Sequence, residues 1–406
     1  MTRRAFLARA AACTATAVLG SSARAQTSDK LDLVIRGGTV IDPASGIQAR
    51  ADIGLRAGRI AAIEPEISVL RAARVIEASG KLVTPGLIDL HAPVYAQTIG
   101  GVLAQDPAGQ TAVTTCVSAG EASVYDLAGF RRHAARYARC RVYAFVHLAA
   151  TGSRRDPAAT APAAGEADVA ALGRVVAQNR DLVIGVTVHP AVATEAGDDI
   201  GALERAIAVV EAAQTRGRIM CNIAGMRQDA GALLERLRPG DILTHAYSPA
   251  RHDLMAGGKL NAAALAARKR GVIIDVGHGV AHFDAAIARA AIAQGLAPDV
   301  ISSGLATTQA ASQAAPQLTT VMSKFLNLGF SVEQVVAMTT VNPARLIGRE
   351  AKLGTLDLGA PGEISILELA EAPIEFTDAG GARWMGTRSF KAVRSIRTAS
   401  TAPKDT

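Results

Sequence analysis

The stretch Leu82-Val83-Thr84-Pro85-Gly86-Leu87-Ile88-Asp89-Leu90-His91-Ala92-Pro93 decides how the rest of the chain is interpreted. Residues 82–90 form a short, nearly continuous apolar run, which is typical of a strand in a buried parallel sheet. The run ends at His91. Barrels of parallel strands carry their chemistry at the carboxyl ends of the strands. We therefore expect one strand over 82–90, with His91 at the mouth of such a barrel.

Further apolar runs follow, and Ala-rich segments with helical periodicity separate them. Strands that alternate with helices predict βα units and a parallel sheet. Eight units within residues 81–349 predict a (β/α)8 barrel of the TIM type, because no glycine-rich loop of dinucleotide-binding spacing supports an open doubly wound sheet. A last helix is predicted over 332–347, beginning with a capping box of Ser331 and Gln334. The later predicted strands are 112–117, 142–148, 182–188, 219–223, 242–246, 272–276 and 300–303.

The two ends of the chain differ from the middle. Residues 26–80 and 350–398 contain short alternating strands, separated by turn residues such as Gly37-Gly38. They are expected to form a separate β-rich domain. Residues 399–406 are small and polar, and a loose tail is expected there.

Residues 1–25 match a twin-arginine signal peptide. Arg3-Arg4 is followed by Phe6-Leu7, an apolar run covers 10–20, and Ala23-Arg24-Ala25 fits a small-x-small cleavage site. An ordinary secretory signal is the alternative, and the run is too short to span a membrane. We therefore expect export by the twin-arginine machinery to the periplasm or the cell exterior.

The composition of the chain limits the classes of binding partner that the sequence supports. The chain is 49% hydrophobic and 19% charged, which is typical of a soluble globular protein. Its formal net charge of +7 includes four arginines of the expected signal, and no basic run is interleaved with aromatic residues, so nucleic-acid binding has no support. Cys116, Cys140 and Cys221 form no Cys-x-x-Cys pair, and buried thiols are expected. The Ala-rich helices are compatible with an oligomer but do not specify one.

The stretch Thr84–His91 resembles the signature that opens the metal site of the amidohydrolase superfamily. A barrel flanked by β-rich chain ends is similar to that superfamily over essentially the whole expected mature chain, nearest to the dihydroorotase-like and deacetylase-like branch. The resemblance implies that both chain ends pair into one small β-sandwich. It also implies hydrolysis of C–N bonds, as in N-acyl amino acids or cyclic amides. One or two divalent metals would activate water and polarise the amide carbonyl.

The resemblance also implies metal ligands at the strand ends, and four of the residues found there are substituted. A second histidine, a carboxylated lysine, a third histidine and an aspartate base are replaced by Pro93, Thr187, Asn222 and Gly304. His91 and His245 are the expected ligands that remain. Catalytic zinc usually has three protein ligands. We therefore expect either a weak, mononuclear zinc site or no metal.

Other side chains are candidates for the mouth. His278 lies in Gly277-His278-Gly279, which resembles a family loop whose histidine faces the substrate, and His147 and Asn222 are further substrate-binding candidates. His189 is another mouth-facing candidate, and His278, Cys221 and Asn222 could be recruited to a metal. Alternation along a strand argues against Cys221, which should face the helices if Asn222 faces the barrel.

No confident catalytic residue is assigned, because Gly304 has neither ligand nor base. Asp106, Glu121 and Asp275 are candidate replacements, provided that the fold brings one of them to the mouth. Asp89 is expected to be a structural acceptor. Three more histidines are expected to be solvated: His133, His252 and His282. No Gly-x-Ser-x-Gly elbow supports a serine nucleophile.

Two functional hypotheses follow. The first is a metal-dependent hydrolase of C–N bonds with a degenerate metal site built on His91 and His245. The second is an exported barrel without catalytic activity that binds a small molecule or a partner through the same mouth.

Overall fold

The computed structural model of the protein describes residues 30–92, 94, 111–132, 138–147, 169–189, 199–214, 217–224, 230–250, 254–304 and 317–397. Several sequence predictions fall outside these residues: the signal peptide 1–25, the tail 399–406, Pro93, Asp106, His133 and His252.

The strands and helices of the described residues are labelled in chain order. The strands are β1 (Leu33–Asp42), β2 (Ile47–Arg56), β3 (Arg59–Glu64), β4 (Val75–Glu77), β5 (Leu82–Pro85), β6 (Leu87–Asp89), β7 (Val113–Ser123), β8 (Arg141–His147), β9 (Val183–Val188), β10 (Arg218–Asn222), β11 (Ile242–Thr244), β12 (Met255–Ala256), β13 (Lys259–Leu260), β14 (Ile273–Ile274), β15 (Ile364–Thr377) and β16 (Arg383–Ile396). The helices are α1 (Leu127–Phe130), α2 (Val169–Gln178), α3 (Asp199–Ala212), α4 (Ala230–Arg236), α5 (Ala262–Arg270), α6 (Ala285–Ala293), α7 (Leu318–Asn327), α8 (Val332–Ala337) and α9 (Val341–Leu346).

The barrel sheet has the order β14-β11-β10-β9-β8-β7-β6, and all its pairs are parallel. Residues 300–304 complete it, because Val300 bridges to Asp275 in parallel and Gly304 N donates to His91 O at 2.8 Å. Apolar side chains fill the space between the strands and the helices and, separately, the barrel interior. The predicted (β/α)8 barrel is confirmed.

The chain ends form a second sheet of order β16-β15-β5-β1-β2-β3, with β4 paired to β1. β5 lies at its centre, between β1 from the first end and β15 from the last. This arrangement confirms that the two chain ends pair into one β unit. The unit includes residues 82–85, which lie past position 80.

The predicted single strand over 82–90 is wrong, because the chain changes sheets at Gly86. β5 belongs to the sheet of the chain ends and β6 to the barrel. Gly86 N donates to Glu363 O at 2.8 Å, and a Cβ at this position would lie 2.1 Å from Thr114 Oγ1. Only glycine lets the backbone pass this close to the neighbouring strand.

The predicted helix over 332–347 is also divided, into α8 and α9. The predicted capping box is confirmed, since Ser331 Oγ accepts from Gln334 N and Gln334 Oε1 accepts from Ser331 N. The break follows from Pro343, which has no N–H to donate to the carbonyl of Thr339. That carbonyl accepts instead from Ile88 N of β6 at 2.8 Å.

Buried ion pairs join the sheet of the chain ends to the barrel. Glu363, whose side chain is 5% exposed, accepts from Arg141 Nη2 at 2.6 Å. On another side of the barrel, Lys324 of α7 contacts Asp378, in the turn between β15 and β16, and both side chains are almost fully buried.

No helix within the described residues is both long enough and apolar enough to cross a membrane.

Candidate active site

His91 is fixed by a chain of hydrogen bonds across the end of the barrel. Its Nδ1 lies 3.0 Å from Thr244 Oγ1, which donates to Asp275 Oδ2 at 2.6 Å. The other oxygen of Asp275 accepts from Ser302 Oγ at 2.7 Å, and Ser302 Oγ accepts from Gly277 N at 2.9 Å. These residues come from four different strand ends. The predicted position of His91 at the mouth is therefore the observed one.

His245 lies beside His91, with their ring centroids 4.8 Å apart. Its backbone has a φ of +60°, and its Nδ1 donates to Gly277 O at 2.5 Å. Burial lowers the pKa of His245 well below its usual value, and the neighbouring His282 and His91 lower it further. The imidazole is therefore neutral at physiological pH.

The hydrogen bonds assign one tautomer to both imidazoles. The single Thr244 hydroxyl proton goes to Asp275, so the Nδ1 of His91 must carry the proton of the bond to Thr244. The Nδ1 of His245 must likewise be protonated, because its partner is the carbonyl of Gly277. In its neutral form each ring therefore presents a lone pair at Nε2, the form in which histidine binds a metal or accepts a proton.

Two of the substituted positions are occupied by side chains with other bonds. Thr187 is fully buried and donates through Oγ1 to Met220 O at 3.0 Å. Asn222 Nδ2 lies 3.2 Å from His189 Nε2, and its Oδ1 accepts from Ala224 N at 2.9 Å. Cys221 is fully buried among residues that pack between strands and helices, as the strand alternation predicts.

At Gly304 the backbone itself leaves no room for a side chain. Its φ is +58°, and a Cβ would lie 2.5 Å from Gly279 N and 3.0 Å from Gly279 Cα. Both neighbouring atoms belong to the backbone and cannot rotate away. An aspartate here would require the loop that contains Gly279 to move.

The described residues do not fit the metal centre that the resemblance implies. Of the expected ligands, His91 and His245 remain, whereas a catalytic zinc site usually has three protein ligands. Within the described parts of the chain, no group of three or more His, Cys, Asp or Glu side chains is arranged to hold a metal ion. The site with His91 and His245 as its only ligands stays a prediction.

His278 has both ring nitrogens engaged. Nδ1 donates to Gly279 O at 2.6 Å, and Nε2 accepts from Lys324 Nζ at 2.8 Å. The ring stacks on Phe283 at 4.6 Å between centroids. Burial, followed by the charge of Lys324, lowers the pKa of His278 to about 3. A substrate contact would have to displace Lys324, and the proposed substrate role of His278 stays a prediction.

Two other histidines lie against each other near Asn222. His147, at the end of β8, is buried, and its ring centroid is 5.5 Å from that of His189. Burial lowers the pKa of His147 to about 4, so this imidazole is neutral. The substrate-binding roles of His147 and Asn222 stay predictions.

The expectation that His282 is solvated is wrong. Its ring centroid lies 4.2 Å from that of His245, and its Nδ1 is 3.4 Å from Ser248 Oγ. Burial, then the charge of His91, lowers its pKa to about 4. Its place after the loop of residues 277–279, which ends a barrel strand, was the one signal available in the sequence.

Two acidic side chains near His91 have raised pKa values. Asp89 accepts from Ser303 N at 3.0 Å and from Ser303 Oγ at 2.5 Å, as expected of a structural acceptor. Burial nonetheless raises its pKa to about 6. Glu121, which follows Gly120 near the end of β7, is also buried, and its burial raises the pKa to about 7.

Known proteins resemble this chain over most of its length. The profile of the amidohydrolase family matches residues 239–393. A deacetylase from Agrobacterium fabrum is 28% identical over 333 residues, which are 80% of this chain and 79% of the relative. An N-acyl-D-glutamate deacylase from Alcaligenes xylosoxydans is 52% identical over 63 residues, which are 16% of this chain and 13% of the relative.

The fold agrees with these matches. The crystal structure of a dihydroorotase superimposes with a TM-score of 0.79 at 26% identity, covering 90% of this chain and 99% of that one. The family profile, the deacetylase and the dihydroorotase all point to one superfamily. Residues 239–393 therefore match the amidohydrolase family, and most of the chain is similar to a deacetylase and to a dihydroorotase.

Proposed function

We propose that the protein is an exported, amidohydrolase-like hydrolase of C–N bonds with a degenerate metal site. Its substrates are small amides, such as N-acyl amino acids or cyclic amides. The deacetylase and N-acyl-D-glutamate deacylase relatives support this substrate class. Zinc, where present, is held weakly as a single ion by His91 and His245.

The observation that carries this proposal is the pair of imidazoles at the mouth. His91 and His245 lie 4.8 Å apart, and their hydrogen bonds to Thr244 and Gly277 leave both Nε2 lone pairs available. Two imidazoles oriented in this way are better suited to metal binding or proton transfer than to a role in packing alone. Turnover is expected to be slow, because general acid–base groups without a metal contribute roughly 10²–10⁴-fold.

A second candidate function is a binding protein without catalytic activity. The backbone around Gly304 favours it, since a side chain at the position of the strand-eight base would meet Gly279 N at 2.5 Å. In this case the barrel mouth binds the same small amides without cleaving them.

One experiment separates the two candidates. The natural protein, without residues 1–25, is incubated with N-acetyl amino acids and dihydroorotate, and the released amine or ring-opened product is quantified. Binding of the same compounds is measured by calorimetry. Turnover that is lost in His91→Asn and His245→Asn but kept in Arg383→Ala, an exposed control, supports the hydrolase. Binding without turnover supports the second candidate, and neither binding nor turnover contradicts both.

Export is part of the proposal and has its own test. The Arg3-Arg4 pair and the sequence Ala23-Arg24-Ala25 support twin-arginine transport. Replacing both arginines of the pair by lysine should retain the protein in the cytoplasm of a host with this machinery. Continued export would indicate another route.

A further inference from the structure

Three carboxylates are buried at the mouth within the described residues: Asp89, Glu121 and Asp275. Both oxygens of Asp89 accept hydrogen bonds from Ser303. Both oxygens of Asp275 are also occupied, one by Thr244 Oγ1 and the other by Ser302 Oγ. Both carboxylates therefore have hydrogen bonds to both of their oxygens, and these bonds order the strand ends.

Glu121 differs from the other two. Its Oε2 accepts from Ser118 Oγ at 2.5 Å and from Val94 N at 3.1 Å. Its Oε1 has no hydrogen-bond partner within the described part of the chain. One oxygen therefore anchors the side chain, and the other is left for a water molecule or a ligand.

Glu121 also lies close to the strand ends that form the barrel mouth. Val94 N, which holds its carboxylate, lies three residues after His91. On the other side, a Cβ on Gly120 would lie 2.3 Å from Thr187 Cγ2 and 3.4 Å from His147 Cδ2. Glu121 therefore follows a glycine in contact with the ends of β8 and β9, and it bonds the segment that carries His91. These are the strand ends where the chemistry of such a barrel takes place.

We propose that Glu121 is the acid–base residue of the mouth and replaces the base that is missing at Gly304. This inference rests on the proposed hydrolase function. The Oε1 of Glu121 takes a proton from a water molecule, whose oxygen attacks the amide carbonyl and forms the new C–O bond. The C–N bond then breaks, and Glu121 returns the proton to the leaving nitrogen. The products are a carboxylic acid and an amine.

The protonation behaviour of Glu121 agrees with this role. Burial raises its pKa to about 7, against the lowering effects of Ser118, Val94 and His91. A general base is most effective when its pKa lies near the working pH. His91 is the titratable group that acts on it directly, and His147, across Gly120, is neutral above about pH 5 because burial lowers its pKa to about 4.

The test compares Glu121→Gln with the natural protein on N-acetyl amino acids. The kcat should fall about 10²–10⁴-fold while KM changes little. In the natural protein, kcat/KM should rise with pH through about 7, because the base must be deprotonated, and this ionisation should disappear in the variant. Glu371→Gln, with an exposed side chain, is the matched control. Unchanged activity or an unchanged pH profile in Glu121→Gln overturns the assignment.

A second measurement keeps the two proposals distinguishable. Infrared spectroscopy of the natural protein should show a protonated carboxyl band that disappears as the pH rises through about 7 and is absent from Glu121→Gln. If no amide is hydrolysed, the proposed function fails. The assignment of Glu121 is then decided by calorimetry of N-acetylglycine binding in buffers of different ionisation enthalpy. Proton exchange that is lost in Glu121→Gln supports it, and its absence from the natural protein, or no binding, overturns it.

Discussion

The buried ion pair between Lys324 and Asp378 is predicted to contribute strongly to the stability of the contact between the barrel and the sheet of the chain ends. Its Nζ donates to Asp378 Oδ1 at 2.5 Å, to Thr377 O at 2.7 Å and to His278 Nε2 at 2.8 Å. Lys324→Met removes this charge but nearly preserves the length of the side chain. Asp378 would then remain as an uncompensated buried charge, and its side-chain donors among the described residues would be Ala285 N and Trp384 Nε1.

The expected loss is large. Removing one partner of a buried ion pair costs about 3–5 kcal/mol, because the other charge cannot return to water. Both side chains are at most 2% exposed, so solvent screening does not reduce this figure. In the double variant Lys324→Met with Asp378→Asn, the asparagine oxygen can still accept from Ala285 N. The double variant should therefore be more stable than the two single losses together predict, with a coupling of about 1–3 kcal/mol.

The assay is urea unfolding, followed by far-UV circular dichroism and by the fluorescence of Trp384, the one tryptophan in the chain. Trp384 Nε1 bonds to Asp378, so its emission also reports the local environment. A decrease of less than about 1 kcal/mol for Lys324→Met, or strict additivity in the double variant, would refute this reasoning.

Three further predictions concern stability. Gly304→Asp should lower the free energy of unfolding by at least about 1–3 kcal/mol, because the φ is +58° and a Cβ would meet Gly279. Gly304→Ala should show the same loss, and Gly304→Asp alone should not raise zinc affinity. Glu363→Gln should cost about 1.5–3 kcal/mol, since Arg141 loses a charged acceptor, and unchanged urea unfolding would contradict this. Burial raises the pKa of Asp89 to about 6, so the folded state holds this proton more tightly than the unfolded chain. The free energy of unfolding should therefore decrease as the pH rises from about 4 to about 6. A decrease of equal size in Asp89→Asn would count against this cause.

The barrel was predictable because its signal is local. Each buried strand is an apolar run, and each helix has its own periodicity, so the alternation is visible before any contact is known. The change of sheets at Gly86 was not predictable, because it depends on Glu363 and Thr114, which are distant in sequence or on another strand. The division of the last helix had a visible cause in Pro343, but the bond that Ile88 N donates to the carbonyl of Thr339 is a tertiary contact.

The site was predictable by position but not by bonding. The ends of the predicted strands contain His91, Asn222 and His245, and the structure brings His91 and His245 into contact. The chain from His91 through Thr244 to Asp275 could not be inferred, because these residues meet only when the barrel closes.

Lys324 was not identified as a partner of His278, because nothing in the pattern of a helix distinguishes a buried lysine from a solvated one. Its burial depends on the turn between β15 and β16, which brings Asp378 from 54 residues away.

The number of tightly bound metal ions per chain tests the central claim most directly. It is measured by mass spectrometry on the natural protein, as purified and after incubation with zinc and removal of the excess. With two imidazoles in place of a complete ligand set, we expect well below one tightly bound zinc per chain. Two ions per chain, retained through buffer exchange, would contradict the account.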